Sequence, residues 1–450
     1  MSMSLTNNAT LLQPKAINSP LGARGAVRSR PKSSFLVLVW IALALGVIVV
    51  IEPSPGDIAI AFLVVAGIFF GHLSWSRSLL LPSMLLGFFM LSNLASLCYA
   101  IDFNQGGLFL SVTLFMVVSW LFAVGVLSRY GELGLHTLMS GYTFGGVASA
   151  LLAVLAYFHL IPFGENLLYF DRLKGFFKDP NVFGPYLVLA ALYAVQRLMN
   201  RCSAGQKVLW LGASLVSTVG MFLCFSRAAW ANYAITLFAF FALNTFATRR
   251  EGMLRRHLTY FFIVILLVSA TLAYAMTIPQ VKEVIAYRTE LQAYDEDRFA
   301  THDAALTLGL ENPLGVGPGQ SFLYLDYATH SLYLRIFSEN GVIGFLSFIA
   351  FVLLTLLRAL VLSQNCLNRF QRSMFALVAA AIVGTLLNSF AIDTLHWRHF
   401  WFLLAVGWMP LWANSPGTTP GTTQKKLKQS GRQMLFHQVI QQRQARRSHV

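Results

Sequence analysis

The chain has 450 residues, of which 56% are hydrophobic and only 11% charged, against the roughly 25% charged residues of an ordinary soluble domain. That shortfall excludes a disordered chain and a soluble globular enzyme, and it points to a polytopic membrane protein. The net charge of +15 therefore reads first as membrane topology; no nucleic-acid recognition module accompanies it, so no nucleic-acid partner is expected.

Residues 1–34 form a basic arm carrying Lys15, Arg24, Arg28, Arg30 and Lys32. The first apolar run, 35–51, leads into Glu52-Pro53-Ser54-Pro55 rather than a small-residue cleavage site, so it reads as an uncleaved helix. A span needs roughly 20 apolar residues. On that criterion twelve spans lie near 35–51, 57–73, 79–100, 108–128, 135–160, 182–199, 207–225, 229–248, 258–276, 342–363, 373–392 and 399–413. The expected fold class is all-α: a transmembrane domain over 35–413, with a basic tail over 414–450.

With the N-terminus inside, most of the 33 lysines and arginines fall on the inner side, whereas only Glu132 and Glu251 of the 18 acidic residues do. This is the asymmetry expected when both termini are cytoplasmic. The tail, with Lys425, Lys426, Lys428, Arg432, Arg443, Arg446 and Arg447, is suited to anionic lipid headgroups. The segment 277–341, between the ninth and tenth spans, falls outside and is too long and too acidic for a plain connector. The four cysteines, Cys98, Cys202, Cys224 and Cys366, lack CxxC spacing and indicate neither a zinc site nor a disulfide framework.

The middles of the spans hold almost no ionisable residues. That argues against an ion-coupled transporter or flippase, which needs them there. The polar chemistry gathers instead at the outer face, in four patches. In the first, Asp171 to Asn181, Asp179 followed by Pro180 is a helix start, and Arg172, Lys174 and Lys178 surround it with positive charge suited to an anion. The second is Phe225-Ser226-Arg227, where an arginine in a tight outer turn runs against the charge rule. It either snorkels to the interface or faces an anionic partner.

The third patch opens with Tyr294-Asp295-Glu296-Asp297-Arg298 on a helix running towards Leu310, followed by Asn312-Pro313-Leu314-Gly315-Val316-Gly317-Pro318-Gly319. The glycines read as a plain turn before a phosphate cradle, since no Lys-Ser/Thr follows them. The three adjacent carboxylates point in different directions on a helix, so no metal and no other cofactor is expected. The fourth patch, Thr329 to Arg335, begins a short helix at His330 that ends at Glu339-Asn340-Gly341. Arg335 and Glu339 are spaced to pair with each other.

In this order, the Phe-Lys-Asp-Pro-Asn motif at 177–181, Ser226-Arg227, Arg298, Asn312 to Gly317, His330 to Leu334 and Glu339 to Gly344 resemble the bacterial O-antigen ligase and Wzy-type polymerase superfamily. The core of the resemblance spans about 210–350. It implies a GT-C-like inverting glycosyltransferase of the bacterial inner membrane, with 277–341 as its periplasmic loop. The implied donor is a glycan on undecaprenyl diphosphate, and the acceptor is lipid A–core, another lipid-linked glycan or, in related oligosaccharyltransferases, a protein hydroxyl. It implies that Arg227 and Arg298 grip the diphosphate and that His330 lies at the acceptor as base. Arg172, Lys178, Asp179, Asn181 and Arg335 are expected as further diphosphate contacts. A chain-length regulator is a conceivable partner for the tail, although no residue specifies one.

Overall fold

A computed structural model describes residues 34–200, 203–289, 293–325 and 329–412; most of the basic arm and the whole basic tail lie outside the described residues. Each of the twelve apolar segments forms a helix, and two more helices lie between the ninth and the tenth. In chain order they are α1 (Ser34–Leu45), α2 (Pro55–Phe69), α3 (Leu80–Leu97), α4 (Phe103–Tyr130), α5 (Glu132–Tyr157), α6 (Pro180–Leu198) and α7 (Ala204–Leu223). Then follow α8 (Arg227–Thr248), α9 (Leu254–Ala275), α10 (Pro279–Thr289), α11 (Ala293–Glu311), α12 (Leu332–Asn365), α13 (Arg369–Asn388) and α14 (Arg398–Gly407). Among the described residues the only sheet is a two-residue antiparallel pair, Leu168–Tyr169 with Arg172–Leu173.

Among the described residues, seven helices are long and apolar enough to cross a membrane: α3 with the 3-10 turn before it, α4, α5, α7, α8, α12 and α13. The helices α1, α2 and α14 have 12, 15 and 10 residues, short of a full span on their own. The sequence reading of twelve regular spans is therefore matched in helix positions but not in helix lengths. The causes are local. Gly56 of α2 sits directly on Gly46, where a Cβ would come within 2.5 Å of backbone, and α1 stops there. The amides of Val49 and Val50 then turn to the carbonyl of Phe176, each at 2.9 Å. At the far end of α14, Pro410 cannot extend the helix, and Arg358 and Gln371 take the carbonyls of Met409 and Pro410.

The interior is aromatic. Trp401 packs on Phe348 and Phe351, and Trp120 meets Phe351 edge-on. Phe62, Phe69, Leu80, Leu91, Leu108 and Phe238 point outward and are exposed, as suits side chains facing lipid tails. Helices close on one another through small residues: a Cβ on Gly141 or Gly145 of α5 would come within 2.6 or 2.4 Å of an α1 carbonyl oxygen.

One end of the bundle collects the long connections. There α2, α4, α6, α8, α12 and α14 begin and α1, α5, α7 and α13 end. A bidentate ion pair, Arg398 to Asp57 at 2.7 and 2.5 Å, joins the starts of α14 and α2. Asp57 also completes a capping box with Ser54. This is the site end.

Candidate functional site

The stretch before α6 folds as its sequence dictates. Asp179 caps α6 by accepting from the Asn181 amide at 2.8 Å, with Pro180 in the first turn. Arg172 is buried beneath it. Its Nε donates to the Cys224 carbonyl at 2.9 Å and its Nη2 to Asn181 Oδ1 at 2.8 Å, so the guanidinium ties the start of α6 to the end of α7. Lys178 is about half exposed and pairs with Glu52 at 2.8 Å. Of the phosphate contacts expected here, Arg172, Asp179 and Asn181 thus also hold the frame, while Lys178 lies at its rim.

Arg227 opens α8. Phe225 turns the chain sharply in the left-handed region (φ 48°), and Ser226 caps the helix through the Ala229 amide. The register of α8 against α13 is set by Gly384, where a Cβ would come within 2.3 Å of Asn232 Oδ1; Thr236 Oγ1 reaches the Ala380 carbonyl at 3.5 Å. The two helices run antiparallel. Five residues up each of them, roughly 7.5 Å of rise, Arg227 and Ser389 come level. The Ser389 carbonyl accepts from the Leu332 amide at 3.0 Å, and Tyr333 donates to the Leu386 carbonyl at 2.7 Å. The turn carrying His330 is thereby pinned to the end of α13, the helix that packs along α8. His330 itself is half-buried with φ 43°, a region that non-glycine residues occupy only when their surroundings impose it.

The glycine loop has a different role from a phosphate cradle. Glu339, 2% exposed, points back into it. Its carboxylate accepts from the Gly319 amide at 2.7 Å, the Ser321 hydroxyl at 2.6 Å and Arg335 Nε at 3.1 Å. The amides of Val316 and Gly317 go to the carbonyls of Ser338 and Glu339. Gly315 and Gly341 meet face to face. Both have positive φ, and a Cβ on either would come within 2.4 Å of backbone oxygen. These amides are spent inside the protein, so the plain-turn reading stands. Gly341 also breaks α12, as the sequence suggested, separating a short helix ending at Asn340 from the long apolar one. Gln320 clips the loop to the start of α4, its carboxamide exchanging two hydrogen bonds with the Asp102 backbone at 2.9 and 3.1 Å.

Arg335 pairs with Glu339 as its spacing predicted, and also with Asp393, which the sequence did not suggest. Its guanidinium lies 4.8 Å from the Phe109 ring centre. Burial would raise the Asp393 carboxyl, but Arg335 and His396 hold it below the ordinary aspartate value. Burial, reinforced by Arg335 and Arg398 and opposed by Asp393, pushes the His396 imidazole down to about 3. Its Nε2 is 2.9 Å from Thr113 Oγ1. Asp393 and His396 escaped the sequence reading because each is a lone residue in a short loop, given meaning only by partners far along the chain.

Arg298 lies on α11, which packs on the first part of α12 through Gly309 against Phe337. Its side chain, like those of Asp295, Glu296 and Asp297, lies outside the described residues. Among the described residues no three His, Cys, Asp or Glu side chains gather as metal ligands.

The segment holding Arg227, the glycine loop, His330 and Glu339 is also the one with a recognisable relationship: residues 212–349 match the O-antigen ligase family. These residues are similar to an O-antigen ligase domain. That domain runs from within α7 into α12 and includes Arg227, Arg298, His330 and Arg335, while the Asp179-Pro180-Asn181 start of α6 lies before it. No curated protein matches the chain.

Proposed function

We propose that the chain is an inverting, metal-independent glycosyltransferase of the bacterial inner membrane, working on its periplasmic side with both termini in the cytoplasm. It takes glycan from undecaprenyl diphosphate and passes it to an acceptor hydroxyl in lipopolysaccharide or exopolysaccharide synthesis. Arg227 and Arg298 bind the diphosphate, with Lys178 and Arg172 as outlying positive charges and Arg335 beneath. His330 is the base.

The observation that carries this reading is the register that brings Arg227 level with Ser389, whose carbonyl fixes the turn bearing His330. A cation for the leaving group and a base for the nucleophile on adjoining turns are the pair that the chemistry needs. The acceptor O–H gives its proton to the His330 imidazole as its oxygen attacks the anomeric carbon. The bond from that carbon to the diphosphate oxygen breaks with its electron pair. Arginine takes up the charge that develops there, bidentately and with no change in its own protonation. In-line attack inverts the anomeric centre. The left-handed backbone at His330 fits a residue held in place for a task.

The test is transfer by purified protein from an undecaprenyl-diphosphate-linked repeat unit, with and without lipid A–core, each in EDTA. Product only with lipid A–core identifies a ligase, and a ladder of longer lipid-linked chains a polymerase. His330→Ala, folded, is expected to lose transfer in either case. Full transfer by that variant would remove His330 as the base. Absence of product from folded unaltered protein, with a peptide acceptor also tried, would refute the donor chemistry.

A further inference from the structure

Most buried polar side chains at the site end have partners in the protein, but Asn388 does not. It closes α13 at 4% exposure, and neither Nδ2 nor Oδ1 has a hydrogen-bond partner among the described residues. A buried carboxamide left unpaired is costly, and native proteins rarely tolerate one without a use. Its direction follows from its neighbours. Gly384, one turn earlier on the same face of α13, lies against Asn232 and Thr236 of α8. The i, i+4 spacing that takes Ala380 and Gly384 along Thr236 and Asn232 carries Asn388 on towards Ala228 and the first turn of α8. The amides of that turn start a helix of 22 residues, and Arg227 leads it. A helix start favours negative charge, and by helical spacing an unpaired, buried carboxamide lies beside this one.

We propose that Asn388 is a donor-binding residue that reads the sugar attached to the diphosphate, beside the phosphates held by Arg227. The proposal rests on the glycosyl-transfer reading above. The ligand class follows from the two unpaired atoms. Phosphate oxygens only accept, so a phosphate would satisfy Nδ2 and leave Oδ1 facing like charge. A sugar presents neighbouring oxygens, one accepting from Nδ2 and one hydroxyl donating to Oδ1, and so completes the carboxamide. Asn388 lies outside the O-antigen ligase match, on a helix that the domain itself does not contain.

The experiment compares binding of undecaprenyl diphosphate with that of undecaprenyl diphosphate N-acetylglucosamine, in one detergent, by thermophoresis. The unaltered protein is expected to prefer the sugar-bearing lipid by about tenfold or more, the worth of two neutral hydrogen bonds. Asn388→Leu, close in size and without polar atoms, is expected to bind both lipids equally while melting no lower than the unaltered protein. Asn388→Ala repeats the comparison without added bulk, should the leucine not fold. Arg227→Ala is expected to weaken both lipids alike. A preference for the sugar that survives in a folded Asn388 variant, or no preference in the unaltered protein, overturns the inference. Failure of the unaltered protein to bind either lipid overturns the glycosyl-transfer reading and this inference with it.

Discussion

Removing the Glu339 carboxylate should undo the site end from within. In Glu339→Ala the Gly319 amide and the Ser321 hydroxyl lose their acceptor, and Arg335 keeps only Asp393. The Glu339 side chain is 3% exposed and that of Arg335 15%, so water does little to compensate. Breaking one side of a buried ion pair costs about 3–5 kcal/mol, and each buried donor left unmet adds about 1–3 kcal/mol before relaxation. Relaxation of the loop into solvent recovers part of this, which leaves an expected loss of about 3–5 kcal/mol. Glu339→Gln keeps one acceptor oxygen, and the Ser321 hydroxyl can rotate to accept from the new amide, so about 1–3 kcal/mol is expected. Thermal unfolding in detergent should rank unaltered protein, Gln and Ala in descending order. Limited proteolysis should cut between Asn312 and Ser321 only in the Ala variant. An alanine variant that melts with the unaltered protein and resists cleavage would refute the reasoning.

Three further outcomes follow from the same geometry. Gly341→Ala adds a Cβ 2.4 Å from the Pro313 carbonyl oxygen at φ 69°, so a sharp drop in monodisperse protein is expected on size-exclusion chromatography. Arg172→Ala removes a buried guanidinium bonded to the Cys224 carbonyl and Asn181 and should cost about 2–4 kcal/mol, whereas Lys178→Ala breaks an exposed pair and should cost less than about 1 kcal/mol. The third concerns His396, whose folded pKa lies near 3 against 6.5 in the unfolded chain. A depressed value means that the unfolded state binds the proton first, so the contribution is full above pH 6.5 and is lost as pH falls towards 3. His396→Gln should flatten the decline of stability between pH 6.5 and 4 by up to roughly 1.4 kcal/mol per pH unit, and an unchanged slope would show that another group titrates. Asp393, facing the same cluster, keeps its contribution until pH falls below the ordinary aspartate range.

The features legible in the sequence were those set over short distances. Apolar runs marked the positions of the helices; Asp179-Pro180 marked the start of α6; Gly341 marked the break in α12; and the spacing of Arg335 and Glu339 gave their pairing. Helix lengths were less legible, because α1 is stopped by a glycine contact with α2 rather than by its own residues. The inward turn of Glu339 was hidden, since nothing in Glu339-Asn340-Gly341 says that a loop twenty residues earlier folds over it. Asp57 drew no notice in the sequence, because its partner Arg398 lies far along the chain. Asn388 fell inside an apolar span, and nothing in its neighbours along the chain marks its buried carboxamide as unpaired.

Two polar contacts at the site end also differ in when they can form during synthesis. Glu339 closes on Gly319 and Ser321 across about twenty residues, so that loop can assemble as soon as it is synthesised. The pair Arg398 to Asp57 joins residues 341 apart. Until the last helix is inserted, a carboxylate at the start of α2 must wait inside an apolar bundle with only its own helix cap for company. The polypeptide therefore carries an early-setting part and a late-setting clasp, and a chain cut short before Arg398 would present quality-control proteases with a membrane protein whose second helix is still charged and unclasped.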